Sequence, residues 1–228
     1  MTDPIANACA TAVAGVARLV TGVRGEWRGG APDPRPRVYF ANHRSHGDFV
    51  LLWTVLPSRL RRTTRPVAGA DYWLDGKVRK FIGQRVFRAV LVDRRGRHGR
   101  HGRHGDETSR AADPVATMGA ALDRNDSLIL FPEGTRNTSD EPLLAFKCGL
   151  YHLASARPDV ALVPAWIDNL NRVMPKGEVI PIPLLCTVTV GPEIRLHADE
   201  DKTAFLNRSR EALLALAPGG HERHGPGR

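Results

Sequence analysis

Residues 39–53 read YFANHRSHGDFVLLW, and the fold turns on the seven residues in the middle. A short apolar run, Val38 to Ala41, enters Asn-His-Arg-Ser-His-Gly-Asp, and the chain then turns apolar again. A plain turn draws on Gly, Asn or Asp; this one places two histidines and an aspartate between segments that read as buried. A strand feeding a turn and then a helix puts the turn at the carboxyl edge of a sheet, where open α/β folds hold their ligands. Ser45 and Asp48 have the S-x-x-D spacing of a capping box, which accounts for both as the start of a helix over 47–56. It does not account for His43.

Asp48, in the first turn of that helix, can direct its carboxylate back toward His43. A carboxylate on one imidazole nitrogen fixes the tautomer and supports the imidazolium that forms on proton abstraction. The other nitrogen is left free to act as a base. These are the His and Asp of a catalytic triad without a protein nucleophile. No Ser or Cys sits in a G-x-S-x-G elbow, so the proton would come from a substrate hydroxyl.

Outward from this turn, periodicity and punctuation alternate strands with helices. Helix is expected over 4–23, followed by the Pro-rich linker GGAPDPRPR. Strands are expected at 37–41, 66–70, 86–92, 127–131, 160–166 and 185–190. Further helices are expected at 74–83, 108–123, 146–156 and 200–216. The fold class is therefore α/β, with a mostly parallel central sheet flanked by helices and an N-terminal helix. Three appendages surround the domain at 31–217: the helical segment 1–30, a flexible insert at 94–107 and a disordered tail at 218–228.

The chain has 228 residues, enough for one large domain that buries roughly 70% of its unfolded surface without disulfides. Its three cysteines, Cys9, Cys148 and Cys186, are odd in number and read as reduced core thiols. The net charge is +9, and residues 57–110 carry 15 Lys/Arg against 5 Asp/Glu, or +10. Such an excess suits an anionic membrane surface or phosphate-bearing substrates. Nucleic acid is not the expected partner, because aromatics are only 6%, are not interleaved with the basic run, and no nucleic-acid-binding signature is present. The insert repeats Gly-Arg-His three times from Gly96. Glycine at every third position opposes regular structure, and His98, His101 and His104 have no Cys or carboxylate to complete a metal site. The run IANACATAVAGVARLVTGV, residues 5–23, is apolar but rich in Ala and interrupted by Arg18. It reads as a helix packed on the domain or lying in a membrane interface, short of a span.

A second strand-and-turn follows at 127–137, SLILFPEGTRN. Glu133, Gly134, Thr135 and Arg136 combine a permissive backbone, exposed N–H groups and a guanidinium that can grip phosphate. NHRSHGD followed some ninety residues later by FPEGTRN resembles the glycerolipid acyltransferase family, of the lysophosphatidate (1-acylglycerol-3-phosphate) acyltransferase type. VLVDR with Arg94, FKCG from Phe146 and VPAWIDN from Val163 match in order. The chain departs from the family at Arg88-Ala89, where a Gly is usual, and in the Gly-Arg-His insert.

The resemblance implies an acyltransferase domain over 31–217 that works at the membrane. His43 would deprotonate the acceptor hydroxyl, with Asp48 its orienter. That hydroxyl would attack an acyl-CoA or acyl-carrier-protein thioester. Glu133, Gly134, Thr135 and Arg136 would hold a glycerol-phosphate headgroup, and Arg94 would add a phosphate contact. No metal or other cofactor is called for. Oxyanion donors would come from the backbone near Ser45 to Asp48 or from water. The expected acceptor is a lysophosphatidate, the alternative a lyso-ornithine lipid or another lysophospholipid, and the expected location the cytoplasmic face of the membrane, peripherally bound.

Overall fold

A computed structural model of the chain describes residues 3–70, 76–92, 113–168 and 185–219. In chain order its elements begin with helix α1 (Pro4–Thr21), strands β1 (Arg24–Trp27) and β2 (Arg37–Ala41), helices α2 (Asp48–Val55) and α3 (Ser58–Arg61), and strand β3 (Thr64–Gly69). Helix α4 (Lys77–Phe81) runs into a π-helical turn (Ile82–Val86) and then strand β4 (Val90–Val92). Helix α5 (Pro114–Asp123), strand β5 (Ser127–Leu130), helix α6 (Gly149–Ala156), strands β6 (Ala161–Asp168) and β7 (Thr187–Val190), and helix α7 (Lys202–Leu214) complete it.

Among the described residues, seven strands form one sheet in the order β1-β7-β6-β2-β5-β3-β4. Every pairing is parallel except β6 with β7. The sheet is thus mostly parallel, as expected from the alternation of elements. Strand β2 lies at its centre and is buried at all five positions, which suits a strand covered on both faces. Side chains alternate across the pleat. Tyr39, Ala41, Ile129, Val163 and Ala165 join a core with Ala14 of α1, Leu51 and Leu52 of α2 and Val86. Val38, Phe40, Leu128, Leu162 and Trp166 join a second core with Leu122 of α5, Leu150 and Leu153 of α6 and Phe205 and Leu213 of α7.

Helix α1 starts where Asp3 accepts the N–H groups of Ile5 and Ala6 at 3.1 and 3.2 Å. It stops at Gly22, whose φ of 57° is the left-handed cap that glycine supplies without strain. Its inner face meets α2 and the π-helical turn, while Ile5, Val16 and Leu19 stand 66, 59 and 86% exposed.

The structure departs from expectation in four places. Between the expected helix and the expected linker, where no element was expected, lies strand β1, whose RGEW is largely exposed, short and without alternation; its parallel pairing with β7 makes it a strand. The strand expected from residue 86 begins at Val90, because the π-helical turn continues to Val86 and Arg88 takes a φ of 49°. Cys148 is exposed, in contrast to Cys186, whose thiol burial pushes up to about 11. Ser45 does not cap α2; its hydroxyl accepts from Gly47 at 3.3 Å. Arg94, the Gly-Arg-His repeat and the tail from 220 onward lie outside the described residues.

Candidate active site

Strand register brings the two sequence motifs together. Phe40 of β2 lies opposite Leu130 of β5, so His43 and Glu133, each three residues further along, leave the same sheet edge at the same level. Ala41 lies opposite Ala165 of β6, which sets the next residue, Asn42, beside the end of that strand. Its side-chain amide donates to the carbonyl of Ile167 at 2.9 Å and accepts the N–H of Ile167 at 2.8 Å. A buried amide bound at both ends to one main-chain residue fixes where the turn leaves the sheet.

Beyond Asn42, the main chain of His43 is held on both sides by the second motif. Its N–H donates to Glu133 Oε1 at 2.8 Å, and its carbonyl accepts from the N–H of Asn137 at 2.6 Å. The second oxygen of Glu133 accepts the N–H of Leu144 at 2.9 Å. Glu133 is 1% exposed, and burial is the main cause that raises its carboxyl above the ordinary value, against the N–H groups of Leu144 and His43. Its carboxylate therefore faces main chain on both oxygens.

The His43 ring is clamped between two partners. Nδ1 lies 2.9 Å from Asp48 Oδ2, and the ring face stacks on Phe131, 4.3 Å between centroids at 21°. The same Oδ2 accepts the N–H groups of Arg44 at 2.6 Å and Ser45 at 2.8 Å. A carboxylate only accepts, so Nδ1 carries the proton and Nε2 has the lone pair. No hydrogen-bond partner meets Nε2 among the described residues. The atom that orients the imidazole therefore also holds the loop before α2, while the helix itself starts at Gly47 without a side-chain cap, so the capping-box reading of Ser45 and Asp48 does not hold. The N–H groups of Ser45, Gly47 and Asp48 have acceptors inside the loop, which commits three of the four main-chain donors expected for an oxyanion.

Next to the ring is the turn of the second motif. Gly134 closes it, donating to the carbonyl of Phe131 at 3.0 Å, and takes a φ of 71°. A Cβ there would also meet Lys147 Cγ at 3.1 Å; the aliphatic part of Lys147 lies over the glycine. Gly134, Thr135 and Arg136 are exposed. The guanidinium of Arg136 has no hydrogen-bond or ion-pair partner among the described residues. With His43, it adds to burial in holding the imidazole of His46 below its ordinary value. The N–H groups of Thr135 and Arg136, which have no acceptor among the described residues, lie beside this guanidinium and make a concavity suited to anions.

The structure brings His43, Asp48, Glu133, Gly134, Thr135 and Arg136 to one sheet edge. Arg94 lies outside the described residues. Sequence reasoning gave no part to Phe131, Asn137 or Leu144, whose contacts depend on register. Among the described residues no three or more His, Cys, Asp or Glu side chains gather as metal ligands.

The chain belongs to the acyltransferase family, whose model matches residues 28–168 and so spans both motifs. It is similar in structure to the crystal structure of the 1-acyl-sn-glycerophosphate (LPA) acyltransferase PlsC from Thermotoga maritima, with a TM-score of 0.66 and 18% identity over all of this chain and 86% of that one. At that identity the likeness concerns the fold. No curated protein sequence matches the chain significantly.

Proposed function

We propose that the chain is an O-acyltransferase that moves a fatty acyl group from an acyl thioester, on CoA or acyl-carrier protein, to the free hydroxyl of a lysophosphatidate-type acceptor. The observation that carries this is the His43–Asp48 hydrogen bond at 2.9 Å, with Nε2 unpaired among the described residues, beside an exposed turn that carries Arg136. Nε2 takes the proton of the acceptor hydroxyl as its oxygen attacks the thioester carbonyl. Asp48 supports the imidazolium through Nδ1. The tetrahedral intermediate collapses, the C–S bond breaks, and the leaving thiolate takes the proton from Nε2, giving ester and thiol. General-base assistance of this kind contributes roughly 10²–10⁴ in rate. On the turn that Gly134 closes, Thr135 and Arg136 hold the acceptor phosphate through main-chain N–H groups and the guanidinium.

Purified protein is assayed for thiol release and phosphatidate formation with acyl-CoA or acyl-carrier protein and lysophosphatidate. Turnover is expected with one of the donors, and its loss in His43→Ala. No release with either donor, or full turnover in His43→Ala, overturns the reading. A panel containing a phosphate-free lyso-ornithine lipid distinguishes the acceptor.

Peripheral attachment to a membrane is part of the same reading. α1 is long and apolar enough to cross a bilayer by length and composition, yet it contains Arg18 and packs one face on α2. Its outward face, with Ile5, Val16 and Leu19, suits burial in the interface. Nearby basic residues each add about 1 kcal/mol on anionic lipid. Cosedimentation with anionic vesicles that weakens in high salt is expected; indifference to vesicles counts against it.

A further inference from the structure

Glu133 stands in the exposed-turn motif that the function assigns to the acceptor, yet its carboxylate does not reach the surface. It is 1% exposed, and its two oxygens accept from the main-chain N–H groups of His43 and Leu144 at 2.8 and 2.9 Å. A dianionic acceptor would be repelled by a carboxylate and attracted by the guanidinium three residues on. Nothing about Glu133 suits it to hold phosphate. What it does hold is the backbone of the proposed base. The His43 N–H is at Glu133, the His43 carbonyl is at the Asn137 N–H, and Asn42 is pinned to Ile167. With the ring between Asp48 and Phe131, the His43 backbone is fastened to the phosphate-binding turn at both ends, and the carboxylate of Glu133 is the side chain that does so.

We infer that Glu133 is a positioning residue for catalysis and not a ligand of the acceptor: by accepting the His43 and Leu144 N–H groups it couples the phosphate-binding turn to the placement of the His43 imidazole. The inference rests on His43 being the general base. Glutamine at this position can accept only one of the two N–H groups and turns an NH2 toward the other, so the His43 backbone shifts. A displacement of about 1 Å at a reacting group costs on the order of 10²-fold in rate.

The test separates rate from binding. For Glu133→Gln, kcat is expected to fall by on the order of 10²-fold. KM for lysophosphatidate, and its equilibrium binding measured without donor, are expected to stay within about threefold. Arg136→Ala, run alongside, is expected to show the opposite split. If Glu133→Gln does not fold, Glu133→Asp, which keeps a carboxylate but reaches fewer donors, gives the same reading. A rise of about tenfold or more in acceptor KM with kcat preserved, or both constants unchanged, overturns the inference. Wild-type protein silent on both donors instead overturns the proposed function.

Discussion

A single oxygen of Asp48 accepts from the imidazole and from two main-chain N–H groups, so charge and loop geometry can be separated by substitution. Asp48→Asn leaves an oxygen for all three donors and removes only the charge that supports an imidazolium. Its kcat is expected to fall by roughly 10² or more with little change in unfolding temperature. Asp48→Ala also orphans the N–H groups of Arg44 and Ser45, and a further loss of about 1–3 kcal/mol is expected in denaturant titration. Equal stability of the two variants would mean that the loop does not depend on this carboxylate. The Arg136 guanidinium has no partner among the described residues, so Arg136→Ala should leave stability unchanged. It should raise acceptor KM roughly 10–100-fold, the worth of a charge-assisted hydrogen bond. The H-x4-D spacing made the His43–Asp48 pair legible in sequence, because both residues flank one short turn. The partners of Glu133 were not legible: nothing in the spacing of FPEGTRN tells a carboxylate that faces solvent from one that faces the main chain of a neighbouring strand.

Between the elements, what fixes the site is the parallel register of β2 with β5 and β6. Asn42 is the fastening on the β6 side. Asn42→Ala leaves the N–H and C=O of Ile167 without these partners in a buried place. It is expected to destabilise the fold by about 2–4 kcal/mol, with activity reduced in the fraction that remains folded. Thermal unfolding and activity measured on one preparation check this. A variant with full stability and activity would show that register alone holds the turn. The elements with a strong pattern were readable from sequence: β2 as a continuous apolar run, β5 as SLIL before a polar turn, α7 from its Asp201 cap onward. Strand β1 was not, since RGEW carries charge, a glycine and no alternation, and its identity as a strand comes wholly from β7. The start of β4 was missed because Val86 and Phe87 are as apolar as strand residues, and their burial is provided by a π-helical turn instead.

Over the whole molecule, charge sets how stability depends on pH. Glu200 is held below its ordinary value, chiefly by the Arg208 guanidinium that grips it at 2.5 and 2.7 Å. Asp159 and Asp33 are lowered chiefly by Arg157 and Arg35. A carboxyl depressed in the folded state stabilises above its unfolded value, and that contribution is lost as pH falls through the folded one. Glu133, raised by burial, acts with the opposite sign. With three carboxyls against one, the unfolding temperature is expected to drop as pH falls from about 5 to about 3, and to drop less in Arg208→Ala. A steeper fall in that variant would refute the assignment. The β1–β7 pairing has a consequence for biosynthesis. Arg24 sits opposite Thr187, so an elongating polypeptide has no neighbour to offer β1 until the ribosome has passed that codon. Through most of translation α1 is then secured only by packing on segments made soon after it, and its greasy outer side is open to a lipid surface well before the catalytic sheet is finished.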